Sequence, residues 1–402
     1  MRERVVFALL AACAAALLIF ALAAFMKDPT SSYDFMVFYK TGTLLRHGLG
    51  SQLYHGIVQT DFRQHLFART SQDVYNHPPF ETLIYWALAY LPYPAAYVFW
   101  DLLNLIMLGC VLYLLRPFAS HFDTDSRLTL TVAFLYPLIS ILREGQNEIV
   151  LLLACAGAFI CLKKGREFAA GGLLGAGFFR FQLVLPLLLV FLALKRWRII
   201  LGAAATGAAL TLLSLAVFGW AVIRDYIELV ENLAKAGAFP LLVPAMSNVR
   251  GFVDVLLAGR VGPHYLTALA AAGSLALLAW PVLKWRRRRW DPGDKEFNLL
   301  FSLSVVACAM TSHYLLIHSL VVLLLPALLI LDYTAGAHPK GFGRWRPLLP
   351  LNLLFLMTVF LNVEGRNRFG FLFVPILWLA FVISAEVPRA RELAGGGERG
   401  NF

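Results

Sequence analysis

Few strongly polar side chains interrupt the apolar stretches of this chain, and their types define the chemistry open to it. Asp34 follows Ser31-Ser32-Tyr33 at the start of a helical pattern. An acid there caps free N–H groups and suits the helix dipole, and it also has the chemistry of a general base. Arg143-Glu144-Gly145-Gln146-Asn147-Glu148 is a compact polar knot between two apolar segments. It reads either as a turn with Asn147 near a helix start, or as a site where Gln146 and Asn147 bind hydroxyl groups and Arg143 meets an anion. Arg180 lies in Phe178-Phe179-Arg180-Phe181-Gln182. Within a membrane such a charge costs about 2.5–3.5 kcal/mol on insertion scales, so it snorkels to the interface or finds a partner or cavity. A guanidinium also suits bidentate contact with phosphate. His313 occupies a short turn, Thr311-Ser312-His313-Tyr314. His318, five residues on, falls about 140° around a helix, so the two share no face.

No metal centre is expected. There is no HExxH and no CxxC, and all five cysteines (Cys13, Cys110, Cys155, Cys161, Cys308) lie inside apolar segments, which also argues against a disulfide framework. Asp123-Thr124-Asp125 has the DxD form of nucleotide-sugar enzymes, which carry it on a soluble α/β domain that this chain lacks. Gly171, Gly172, Gly175 and Gly177 precede no GK[ST]; Gly171-xxx-Gly175 instead allows helices to approach closely.

The elements that must position these residues are membrane helices. Of 402 residues, 59% are hydrophobic and 15% charged, against roughly 45–50% and 25% in soluble domains. Mean hydropathy is +0.70. Disorder, a coiled coil and a single-core soluble enzyme are excluded; an all-α polytopic membrane protein remains. The net charge of +11 resides largely in Arg2/Arg4, Lys163/Lys164/Arg166, Lys195/Arg196/Arg198, Lys284 with Arg286–Arg289, and Lys340/Arg344/Arg346, each cluster between apolar segments. The longer polar stretches are near neutral: 27–78 holds five basic and four acidic residues, and 220–263 holds four of each. The positive-inside rule places the clusters in the cytoplasm and both long loops outside. Nothing gathers the positive charge on one solvated face, as nucleic-acid binding requires.

Residues 4–26 read as an uncleaved first spanning helix rather than a signal peptide. Segment 79–92, bracketed by prolines, is too short to span and is expected to be re-entrant or broken. Segment 168–194 is interrupted by Arg180 and Pro186 and reads as two half-length helices meeting near the outer surface. The result is a single integral-membrane domain over 1–402 with about 12 crossings and both termini cytoplasmic, including the tail 387–402. The first outer loop is expected to carry amphipathic helices along the membrane surface, one from Asp34 through Phe35, Phe38, Tyr39 and Leu45, another over 56–69.

Several pieces, in order, resemble glycosyltransferase family 87, membrane enzymes of the GT-C superfamily that use polyprenyl-phosphate sugars. They are Tyr33-Asp34-Phe35-Met36-Val37-Phe38-Tyr39, Gly48, Leu53-Tyr54, His77-Pro78-Pro79-Phe80, Glu144-Gly145-Gln146-Asn147, Ala170-Gly171-Gly172 with Gly175 and Arg180, Asn248, and Ser312-His313-Tyr314. They cover roughly residues 30–330. The resemblance implies a GT-C-type fold and an inverting transfer of a hexose, most often mannose, from polyprenyl phosphate to a lipid or glycan acceptor at the outer face of the plasma (inner) membrane. Asp34 matches the general base on the acceptor hydroxyl, Arg180 falls near the donor phosphate, and His313 faces the same chamber. Arg143, Gln146 and Asn147 complete the donor side, with Tyr39, Tyr54, His77, Gln182, Asn248 and His318 as further cavity candidates. No cofactor and no metal is implied, because the phosphate is itself the leaving group. Arg180 stands where related sequences often carry Lys, and 311–318 lacks the adjacent histidine pair of some mannosyltransferases. The rival readings are a transporter or flippase of a lipid-linked sugar, for which no internal repeat is found, and a structural membrane subunit.

Overall fold

A computed structural model describes residues 33–55, 75–235, 240–338, 342–363 and 368–396. The expected first spanning helix, the helix over 56–69 and the last residues of the tail lie outside them. The described residues contain helices and no strand. Among the described residues, seven stretches are long and apolar enough to cross a membrane.

The chain begins with α1 (Tyr33–Arg46) and α2 (Thr82–Leu88). Seven residues of helix rise only about 10 Å, a third of a hydrocarbon core, so α2 cannot span. Helix α1 forms where expected but does not lie on a surface. Phe35 through Leu44 are all buried, Lys40 included, and a Cβ on Gly42 would sit 2.3 Å from the carbonyl oxygen of Tyr85. Protein, not the membrane interface, covers this helix.

Next come α3 (Tyr93–Leu115), α4 (Thr124–Glu144) and α5 (Glu148–Lys163). Prolines open α3, whose N-cap is Pro92. Asp123 caps α4 by accepting from the Ser126 N–H at 2.8 Å, and Arg344 pairs with both Asp123 and Asp125. The DxD acids are thus a cap and an ion pair. Helix α4 ends at Gly145, whose φ of +64° is the left-handed conformation glycine adopts without strain.

The segment expected as two half-length helices is a hairpin. Helix α6 (Glu167–Ala176) rises to a 3-10 turn, Gly177–Arg180, and α7 (Phe181–Ala193) returns. A straight helix over 27 residues would separate its ends by about 40 Å; here Glu167 pairs with Arg196 at 3.3 Å. The break falls at the 3-10 turn, while Pro186 is accommodated inside α7. Helix α5 descends about 24 Å over its 16 residues, and α6 plus the 3-10 turn climbs about 23 Å back, so Arg180 returns to the level of Glu148.

Helix α8 (Trp197–Lys235) runs alongside α6 and is interrupted at Gly219, φ +79°. A Cβ on Gly171 would lie 1.9 Å from the Ile199 carbonyl, and one on Gly175 2.8 Å from that of Ala203. The small-xxx-small spacing therefore does serve close helix packing. The chain continues through α9 (Val249–Leu257), α10 (Pro263–Arg286), α11 (Lys295–Thr311), α12 (Leu324–Ala337), α13 (Leu348–Val363) and α14 (Phe373–Gly396). Helices α11 and α12 are apolar and buried almost all round, which marks them as the centre of the bundle.

Contacts sort the turns into two ends. Lys163 donates to the Asp294 carbonyl, Lys284 to that of Ser384, and Arg346 pairs with Glu386, so the described basic clusters share one end. Asp34, the turn 145–147, Arg180, Asn248 and the turn 312–318 gather at the other.

Candidate active site

The site is built on the turn between α4 and α5. The Trp100 indole donates to the Gly145 carbonyl at 2.8 Å and the Asn104 amide to that of Gln146 at 3.2 Å, so α3 anchors the turn backbone. The Tyr97 hydroxyl donates to the Leu142 carbonyl at 2.5 Å. Phe35 closes the other side: a Cβ on Gly145 would lie 2.5 Å from the Phe35 Cβ, so no larger residue fits beside α1.

With the backbone fixed, three consecutive side chains converge on the hairpin tip. Gln146 donates through Nε2 to Asp34 Oδ2 and accepts at Oε1 from Arg180 Nη2 at 2.5 Å. Only one amide orientation satisfies both an anion and a cation, so the side chain cannot flip. Asn147 accepts from Arg180 Nε at 3.2 Å and donates to Glu81 Oε1 at 2.5 Å. Glu148 pairs with Arg180 Nη2 at 2.9 Å. Arg180 is 6% exposed, and its burial is tolerable because Nε and Nη2 are committed to these three residues.

Two histidines extend the network. His318 lies with Nδ1 3.0 Å from Glu144 and Nε2 3.3 Å from Glu148, and the Ser319 hydroxyl donates to Glu148 at 3.3 Å. A ring facing carboxylates on both sides can donate to both only as the imidazolium. His77 meets Glu81 at 2.8 Å, its carbonyl accepts from the Tyr54 hydroxyl at 2.6 Å, and its ring stacks on Tyr75.

Asp34 is the half-buried end of this chain of contacts. Burial, followed by the Glu144 carboxylate, pushes its pKa above the ordinary carboxylate value, while His318, Arg180 and His77 pull the other way. A carboxylate with a raised pKa is the stronger base, and this one is held in place by a single amide.

The other sequence candidates lie around this core rather than in it. Arg143 is exposed. His313 is exposed too, and its Nε2 lies 3.1 Å from Arg250 instead of meeting the Asp34 network; His318, a secondary candidate in the sequence, holds the more central place. Tyr39 is buried and donates to the Leu91 carbonyl at 2.8 Å, which ties α1 to the turn after α2. Gln182 is half-buried in the first turn of α7 without a hydrogen-bond partner among the described residues. Asn248 caps α9 through the Gly251 N–H and donates to the Ser312 carbonyl at 2.8 Å, so it joins two turns. Sequence reasoning missed Glu81, Glu144 and Glu148 as members of the cluster. Glu81 carried one local signal, its place four residues after His77; Glu148 has the position of an ordinary acid in a first helical turn. Among the described residues no group of three or more His, Cys, Asp or Glu side chains can hold a metal ion.

A buried polar network thus lies between membrane-length helices, with one carboxylate, Asp34, at its edge. The model of glycosyltransferase family 87 matches residues 75–312, well over half of the chain, and the chain belongs to that family. It is a glycosyltransferase, so the transporter reading has no support. No curated protein and no solved structure matches the chain. The matched part contains Glu81, Gln146, Asn147, Glu148 and Arg180. Asp34 and His318 lie on either side of it in sequence, and the fold brings both to it.

Proposed function

We propose that the protein is an inverting, GT-C-type glycosyltransferase that moves a hexose, namely mannose, from a polyprenyl-phosphate sugar to the hydroxyl of a lipid or glycan acceptor. Asp34 is the general base. One observation carries this reading: Asp34 is joined through one amide, Gln146, to a buried arginine at the tip of a half-length hairpin. As the acceptor oxygen attacks the anomeric carbon, its proton passes to the Asp34 carboxylate and the bond to the phosphate oxygen breaks, which leaves polyprenyl phosphate. Glu148, Gln146 and Asn147 anchor Arg180, and Nη1 is the donor of that guanidinium left to meet the departing phosphate. The exposed Arg143 and the Arg250–His313 pair add positive charge at the same end. The chemistry asks for no nucleotide and no metal.

The orientation follows from charge. The basic clusters share the end opposite Asp34, and the positive-inside rule assigns that end to the cytoplasm. The site then opens outward, where a lipid-linked donor presents its sugar, in the plasma (inner) membrane with both termini cytoplasmic. The test supplies purified protein with polyprenyl-phosphate mannose, polyprenyl-phosphate glucose and a hydroxyl-bearing lipid acceptor. Product with an inverted anomeric centre is expected from the wild type, and not from Asp34→Ala. Equal transfer by both removes Asp34 from its role.

A further inference from the structure

At the basic end, remote from Asp34, a cavity of about 360 Å³ opens between the turn after α7 and the turn after α10. Its walls include Lys195, Arg196, Arg286 and Arg288 together with Trp285 and Trp290. Two of the four cations, Arg196 and Arg288, are held in place by partners. The Arg196 guanidinium lies 3.9 Å above the Trp290 ring, which in turn packs on Trp285 at 4.8 Å. Arg196 pairs with Glu167 through Nη1, and Arg288 with Glu296 at 3.0 Å. Lys195 and Arg286 have no carboxylate within ion-pair distance among the described residues, so two of the four positive charges are unmatched. The Arg196 Nε is buried and makes no hydrogen bond.

Lys195 is also conformationally costly. Its φ of +58° is the one positive value among the described non-glycine residues. The same turn occurs after α5, where the N–H of Gly165 bonds the Leu162 carbonyl and that of Arg166 bonds Cys161. After α7 the pattern repeats from Lys195 to Leu192 and from Arg196 to Phe191. Glycine takes the left-handed position in the first turn and lysine in the second, although the side chain makes that conformation unfavourable. The strained position sets Lys195 on the cavity wall, where a glycine would leave no ammonium group.

We propose that this cavity binds a phosphate ester, supplied by the headgroup of an anionic glycerophospholipid or by a soluble phosphate ester. Lys195 and Arg286 supply positive charge that attracts a phosphate group, and Arg196 and Arg288 stand beside them in the cavity wall. Indole rings beside the cations are the surroundings a headgroup meets at a membrane interface.

Native mass spectrometry of the full-length protein, supplied with phosphatidylglycerol, phosphatidylcholine or glycerol 3-phosphate, tests this. The wild type is expected to retain phosphatidylglycerol over phosphatidylcholine. In Lys195→Gly/Arg286→Gln that preference should fall about 30-fold, from about fivefold per basic residue. Lys195→Gly relieves the strained φ, so unchanged thermal stability separates lost binding from lost folding. Displacement of the lipid by glycerol 3-phosphate assigns the site to soluble esters, and failure of displacement assigns it to the lipid. Equal retention of the two lipids without binding of glycerol 3-phosphate, or an unchanged preference in the double variant, overturns the proposal.

Discussion

Replacing Gln146 with glutamate alters the link between Asp34 and Arg180 at one end only. The Gln146→Glu carboxylate keeps an acceptor for Arg180 Nη2, now held at 2.5 Å, but turns the donor facing Asp34 into a second anionic oxygen. Two carboxylates about 4 Å apart repel by about 4 kcal/mol at an effective dielectric constant near 20. That equals about three pH units, since one unit is about 1.36 kcal/mol. Arg180 neutralises part of the added charge, so the Asp34 pKa, already raised by burial, should rise by a further 1–3 units or so. A general base works only when deprotonated, and activity is lost as pH falls through its pKa. The acid limb of kcat/KM should therefore move about 1–3 units toward higher pH, with activity recovering on the alkaline side. The assay is transfer from a polyprenyl-phosphate sugar across a pH series. A Gln146→Glu profile that superimposes on the wild type would refute both the role of Asp34 and its coupling through Gln146.

Asp34→Asn should lower transfer by about 10²–10⁴-fold with helicity and thermal unfolding unchanged, as measured by circular dichroism beside the activity assay. Glu148→Gln strips the buried Arg180 of its paired charge and should cost about 3–5 kcal/mol, seen as a lower unfolding temperature in detergent. Gly145→Ala should destabilise by about 1–2 kcal/mol for the left-handed φ alone, and by more because the new methyl group meets the Phe35 Cβ, read as a lower unfolding temperature in detergent. His318→Ala should reduce transfer more than His313→Ala, since His318 touches two carboxylates of the network while His313 faces Arg250 in the open.

Sequence reading located Asp34, Gln146, Asn147 and Arg180 because polarity is conspicuous inside apolar stretches, where each such group needs a partner. It also foresaw the half-length helices around Arg180 and the short, proline-bracketed segment holding α2, because a charge in a long apolar run and a segment too short to span are visible locally. The burial of α1 was not visible. Lys40 and Arg46 interleaved with aromatics have the pattern of a surface helix, and only the close approach of Gly42 to the Tyr85 backbone shows that protein encloses it. The pairing of Asn147 with Glu81 and of Glu148 with His318 likewise left no local trace. These partners come from segments far apart in the chain, and an acid near a helix start already has a sufficient local reason to be there.

The hairpin also imposes an order on how the protein is made. Neither α6 nor α7 is long enough to cross a bilayer alone, and Arg180 at their tip cannot remain among lipid chains without cost. Its counter-charge, Glu148, lies at the start of the helix synthesised just before the hairpin, so the anion is already in place when the arginine emerges. Burial of the arginine and closure of its contacts with Gln146, Asn147 and Glu148 are therefore the same step of folding. A chain that fails to form these contacts leaves its arginine without a partner, so the same residues that build the polar network also decide whether the hairpin is stable in the membrane.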